Sequence, residues 1–241
     1  MENKHIYLAA LTFGIFVIFS SSAQAVSKRV SSPNVSQGLA ADIRGSYAFD
    51  EEGDDDFRNN IQFKHGLNDK FRISFDTDFR KKAGEDGDLT NSDIEFRYNF
   101  FRNNNAALAF SGGCEFNHVG NPDAIFTSMQ GEYKAGRWKH QANIGIDTEV
   151  GDGAGDGFDY DFRSGHYYKL ETVEIGVEYF GDFGNSDDGN SFDEQEHNIG
   201  PVVNFSIPVG QKEVKAVLGY AVGLTDASDE HLFKYEFGYK F

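Results

Sequence analysis

The sequence predicts an all-β fold, a closed barrel of twelve antiparallel strands with an apolar outer face. Three observations carry that prediction. Segments of about ten residues keep apolar and aromatic side chains on alternate positions, twelve times over. Every Lys, Arg, Asp and Glu within those segments falls on the opposite parity. The connections alternate between tight turns and long loops. Composition agrees, since 27 Gly, 24 Phe, 11 Tyr and only four Pro suit short strands and turns.

The front end stands apart. Residues 1–25 have a short polar start with Lys4, an apolar run from Ile6 to Phe19, and a small-residue stretch ending Ala23-Gln24-Ala25. This is the pattern of a cleaved secretory signal peptide. The apolar run, about 14 residues, falls short of the roughly 20 that a membrane-spanning helix needs. The next segment, "VSKRVSSPNVSQG", has no strand pattern, and residues 26–38 are expected to form a periplasmic tail. Residues 39–241 would then be the barrel, and the roughly 216 residues left after cleavage are enough for one domain.

The strands follow in order. The first carries Ile43, Tyr47 and Phe49, the second Phe57, Ile61 and Phe63, and the third Phe71, Ile73, Phe75 and Phe79. Then come Ile94, Phe96, Tyr98 and Phe100, next Leu108, Phe110 and Phe116, and next Ile125, Met129 and Tyr133. The seventh has Trp138, Ala142, Ile144 and Ile146, the eighth Tyr160, Phe162 and Tyr168, the ninth Val173, Ile175, Val177 and Tyr179. Ile199, Val203, Phe205 and Ile207 mark the tenth, and Val214, Leu218, Tyr220 and Leu224 the eleventh. The chain closes on "FKYEFGYKF", five rings on one face.

Parity alone does not say which face points inward, but size does. Twelve strands enclose a lumen too wide for side chains to fill, whereas about eight fill neatly. A lipid-facing exterior explains why charge is excluded from one parity, because an exposed charge there costs several kcal/mol at mid-bilayer. Rings near strand ends, such as Tyr133, Trp138, Tyr168 and Tyr239, suit the membrane interfaces. The tight connections are "GLND", "RNNN", "AGR", "KLE" and "PVGQK", and the others are mostly longer and rich in Asp, Gly and Ser. The expectation is a twelve-stranded antiparallel transmembrane β-barrel with short periplasmic turns and longer acidic extracellular loops.

The last strand, Phe233, Tyr235, Phe237, Tyr239 and the final Phe241, resembles the C-terminal signature of Gram-negative outer-membrane β-barrel proteins. The resemblance implies that these five rings are the signal read by the barrel assembly machinery. Signal peptide, length and strand number together resemble the small monomeric oligosaccharide-specific porins, which pass acidic sugars. That family's lumen is strongly basic. Here the lumen parity mixes both signs almost evenly, so the acidic-sugar substrate does not carry over.

Net charge is −17, from 39 Asp and Glu against 22 Lys and Arg. The long loops hold the acidic surplus and only Lys81 and Lys82 among basic residues. Such a balance speaks against a nucleic-acid partner. The expected lumen lining is Arg44, Arg58, Arg72, Asp76, Glu95, Arg97, Glu115, Glu132 and Arg163. The expected partners are outer-membrane lipid and lipopolysaccharide, with divalent cations gathered weakly at the loops. In "GDGAGDGFD", Asp152, Asp156 and Asp159 are the nearest approach to a metal site, without the spacing of a known calcium loop.

Cys114 is the lone cysteine, which excludes an intrachain disulfide, and no cofactor motif or nucleotide loop appears. Ser164 and His166 share the lipid parity without the order or third group a hydrolase needs. His118 and His197 lie at loop-side strand ends near Asp123, Glu194 and Glu196, while His65 and His140 read as interfacial. Pro201, which cannot donate to a ladder, is expected at a strand end or bulge. The sequence thus points to a monomeric, non-enzymatic outer-membrane channel for small polar solutes through a narrow mixed-charge lumen. A non-conducting barrel working through its acidic loops is the alternative, and an outer-membrane hydrolase the second.

Overall fold

The computed structural model describes residues 28–49, 55–120 and 122–241, so the expected signal peptide lies outside the described residues. Twelve strands form: β1 (Gly38–Phe49), β2 (Asp56–Gly66), β3 (Phe71–Lys82), β4 (Asp88–Arg102), β5 (Ala106–Asn117) and β6 (Asp123–Ala135), then β7 (Trp138–Val150), β8 (Asp159–Lys169), β9 (Val173–Asn185), β10 (Glu196–Val209), β11 (Lys212–Gly223) and β12 (His231–Lys240). Each pairs antiparallel with its sequence neighbours, and β1 closes the barrel on β12 from Ala40↔Lys240 to Phe49↔His231. The terminal Phe241 N–H adds a bond to the Leu39 carbonyl at 3.0 Å. Closure leaves no open strand edge, which the hydrocarbon region would not tolerate.

The alternation seen in the sequence becomes an inverted core. Phe63 and Ile144 are each 55 % exposed on the outside, while Asn60 and Gln130 are each 1 % exposed on the inside. In water that arrangement would be unfavourable on both faces. Around a hydrocarbon shell it satisfies both. The strands run 10 to 15 residues, most of them longer than the roughly 9–11 that cross a bilayer, so several extend beyond the hydrocarbon.

Turn chemistry explains the tight side. Gly136 and Gly210 sit at φ 60° and 64° in the two-residue turns β6–β7 and β10–β11, where a hairpin demands the left-handed region. On the long side, a 3-10 turn at Phe192–Glu194 folds between β9 and β10. Register shifts occur at Asp78/Phe79, at Asn99/Phe101 and at Asp159/Asp161. The second of these matters for the lumen, because it turns Arg102 inward.

Pro201 lies within β10, opposite Val177, and not at its end. The β10–β11 ladder is interrupted there, running Ile199↔Val222 and then Val202↔Gly219 without a change of register. Beside it Gly200 allows the backbones to close in. A Cβ at that position would overlap the Tyr220 carbonyl and lie 2.5 Å from the Ala221 Cα. Gly200→Ala is therefore expected to lower stability by ~1–3 kcal/mol, the usual range for forced overpacking. Urea unfolding of the refolded protein, followed by loss of its heat-modifiable band, measures the shift.

Candidate functional site: the occupied lumen

The principal correction to the sequence reading concerns residues 26–38. From Lys28 onward this segment is not a periplasmic tail but lies inside the barrel, with Val30 and Val35 buried. Its loop-side end is Lys28, whose Nζ meets Glu196 Oε2 at 2.6 Å, at the first residue of β10. Its turn-side end is Val35, whose carbonyl accepts from Arg102 Nη1 at 3.4 Å, at the last residue of β4. Seven residue steps span at most about 23–25 Å, nearly the height of a barrel with tilted strands. The physical reason is the one already given for twelve strands: the wall cannot fill its own lumen. A chain segment does so instead, then reverses at Gly38, φ 101°, into β1.

Carboxylates from one side of the barrel, on β10, β12 and β1, hold the basic end. Arg29 reaches Asp42 at 3.4 Å on β1, Glu236 at 3.2 Å on β12 and the Gln62 amide oxygen at 3.2 Å on β2. Lys64 joins Asp42 from the other side. Farther along, Glu132 accepts from the Asn34 amide at 2.8 Å and the Ser32 hydroxyl at 3.4 Å. The main chain is gripped as well. Asn143 takes both the N–H and the carbonyl of Ser31, at 2.6 and 2.8 Å. Arg97 donates to the Ser32 carbonyl at 2.7 Å and Asn99 to the Pro33 carbonyl at 3.0 Å.

The residues expected to line the lumen occupy it unequally. Arg97 and Glu132 touch the tail directly. Arg72 and Arg97 share Glu95, at 2.6 and 3.0 Å. Arg44 meets Asp76 at 3.1 Å, and Arg163 meets its own-strand neighbour Asp161 at 2.7 Å. Arg58 and Arg80 both take Asp56 at 2.6 Å, while Asp229 lies 4.0 Å from Arg58. Burial in the β11–β12 loop pushes the Asp229 carboxyl above its ordinary value, and Arg58 and Lys28 pull the other way. Glu115 faces Asp93, which in turn faces Asp76, a row of three carboxylates across β5, β4 and β3.

A second network spans the wall without the tail. Lys234 on β12 reaches Glu178 on β9, which accepts the Tyr167 hydroxyl at 2.6 Å from β8. Gly165 and Gly176 leave the room that the Tyr167 ring fills.

The sequence reading missed the tail's own Lys28, Arg29, Ser31, Ser32 and Asn34, and the wall's Asp42, Asn99, Arg102, Asn143 and Glu236. The neutral amides drew no notice because only charges were followed along the lumen parity. Arg102 was hidden in a turn because the bulge at Asn99/Phe101 reverses parity there.

The remaining candidates do not converge on a second site. Asp152 and Asp156 are exposed in the β7–β8 loop and Asp159 opens β8; among the described residues no group of three or more His, Cys, Asp or Glu is arranged to hold a metal ion. His140 and His166 face each other at 2.8 Å between Nδ1 atoms, on exposed outer positions beside Trp138. His118 Nε2 lies 3.0 Å from the Ser92 hydroxyl, and among the described residues no carboxylate is bonded to the ring. His197 is enclosed by Phe192, the Tyr179 hydroxyl and Gln195. Neither builds an acid–histidine–nucleophile array. Cys114 is exposed on the outer face.

No protein-family model and no curated protein sequence matches the chain. Solved structures do. The NanC porin superposes with a TM-score of 0.57 at 10 % identity, over 83 % of this chain and 98 % of its own. The KdgM porin, solved with disordered oligogalacturonate, gives 0.58 at 12 % identity, over 84 % and 99 %. The COG4313 outer membrane channel from Pseudomonas putida F1 gives 0.57 at 10 % identity, over 92 % and 100 %. At these identities the likeness is one of fold. The chain has the fold of the small twelve-stranded outer-membrane porins, with its own N-terminal segment inside the barrel.

Proposed function

We propose that the protein is an outer-membrane channel for small polar solutes, held closed by its own N-terminal segment. One observation carries the reading: a tethered stretch of chain, from Lys28 to Val35, lies in the polar lumen and is bonded to its wall at both ends. A tethered occupant is released or retained as a unit, whereas an interlocked wall is not. The tail's contacts are hydrogen bonds and ion pairs that water and a passing solute can replace. In this reading residues 1–25 export the chain and are cleaved. The rings Phe233, Tyr235, Phe237, Tyr239 and Phe241 direct barrel assembly. The acidic loops meet lipopolysaccharide through weakly held divalent cations, and the barrel works as a monomer.

The test fixes the tail to the wall. In a Cys114→Ala background, Ser31→Cys with Asn143→Cys places two thiols where the backbone of Ser31 now meets the Asn143 side chain. Oxidised protein in a planar bilayer is expected to give no conductance steps, and reductant to restore them. Equal conductance in both states would remove the tail from the gate. Lack of steps in both, from heat-modifiable folded protein, would favour the second reading, a non-conducting barrel. The bridges Lys234–Glu178 and Arg44–Asp76 are the observation in its favour, since they tie wall strands to one another independently of the tail.

A further inference from the structure

The manner in which the tail is held says what else the lumen would hold. A plug needs bulk and adhesion. This one is read through its peptide groups: the carbonyls of Ser31, Ser32, Pro33 and Val35 each accept a hydrogen bond from the wall. Asn143 pairs with both the donor and the acceptor of Ser31, as one strand residue pairs with another in a ladder. The donors come from β4 and β7, and between those strands β5 presents Ala107, Ala109 and Ser111, small and fully buried. The result is a trough with donors along its edges and a floor that is low along β5 and carries Gln130 and Glu132 along β6. Charged side chains are read at the loop-side end, where Glu196, Asp42 and Glu236 take two successive cations, and farther along Glu132 takes the Ser32 hydroxyl and the Asn34 amide.

From this geometry we propose that the lumen is a binding site for extended basic oligopeptides, which compete with the tail for the trough. The inference rests on the channel reading only for how such a peptide enters and leaves. Peptides are matched better than sugars, because the wall offers donors to acceptors that recur once per residue. They are matched better than simple cations, because half of the contacts ignore charge. The loops add a reason for basic character. Glu85, Asp86, Asp152, Asp156, Asp187 and Asp188 are exposed around the mouth, and an acidic rim concentrates cationic solutes before they enter.

The test uses the full mature chain carrying Lys28→Glu and Arg29→Glu, which weakens the tethered competitor, with heat-modifiable mobility as proof of folding. A fluorescent synthetic peptide of the native sequence Val26 to Val35 is titrated in micelles by anisotropy and added to open channels in a bilayer. Saturable binding is expected, together with block of the open channel. Adding Asn143→Ala is expected to weaken binding about tenfold or more, the effect of losing two neutral hydrogen bonds. A peptide with both basic residues replaced by Glu is expected not to bind.

If the channel conducts but the peptide neither binds nor blocks, the peptide site is wrong and the channel stands. Binding without any conductance would leave the peptide site standing and overturn the channel. Should spermidine displace the peptide at equal concentration, with Asn143→Ala without effect, recognition is of charge alone and the proposal fails.

Discussion

Charge reversal at both tail cations, Lys28→Glu with Arg29→Glu, is expected to convert a mostly closed barrel into a mostly open one. Arg29 and its partners Asp42 and Glu236 have side chains 20 %, 8 % and 19 % exposed. Removing one partner from such a desolvated cluster costs about 3–5 kcal/mol, and a Glu placed there adds repulsion. Lys28 contributes less, because Glu196 is 39 % exposed and a solvated pair is worth about 1 kcal/mol at most. Together they approach the roughly 5.5 kcal/mol that carries a two-state equilibrium from 1:99 to 99:1. Single-channel recording in planar bilayers reads the open fraction directly. An open fraction equal to that of the native protein would show that these ion pairs do not hold the tail.

The second large effect belongs to the outer face. Ile144 stands mid-strand on β7, 55 % exposed, next to the inward Asn143. Ile144→Arg is expected to destabilise the inserted barrel by ~2–4 kcal/mol, the cost of a guanidinium on the lipid face near the midplane. Ile144→Leu is expected to be nearly neutral. Folding yield into lipid vesicles and the urea midpoint measure both. If Ile144→Arg folds as well as Ile144→Leu, then this face does not meet hydrocarbon and the assignment of inside and outside is wrong.

The strands were legible in the sequence for the same reason that Ile144→Arg should fail. Lipid admits no charge, so Arg72, Asp76, Asp78 and Arg80 are forced onto one parity and Phe71, Ile73, Phe75 and Phe79 onto the other. That constraint acts at every second residue, and it marks β3 without help from any other strand. The tail carries no such mark. Lys28, Arg29, Asn34 and Val35 obey no period, and their partners are scattered over β10, β1, β12, β6 and β4. Contacts of that range leave no local trace. The bulge at Asn99/Phe101 defeated the reading in a different way, because a single extra residue reverses which side chain faces in, and Arg102 went with it. A mixed-sign lumen lined by residues such as Arg44 and Asp76 was visible, but not the segment that enters it.

The grip on the tail has a consequence for how this sequence can change over time. Because Arg97, Asn99, Arg102 and Asn143 bind carbonyls, the tail residues that own those carbonyls are nearly interchangeable. Ser31, Ser32 and Val35 can drift among residues of similar size without loosening a single one of those bonds. The wall amides and guanidinia cannot, since each supplies its contact through its own side chain. Descendants of this chain should therefore diverge faster at Ser31 and Val35 than at the wall residues that hold their carbonyls.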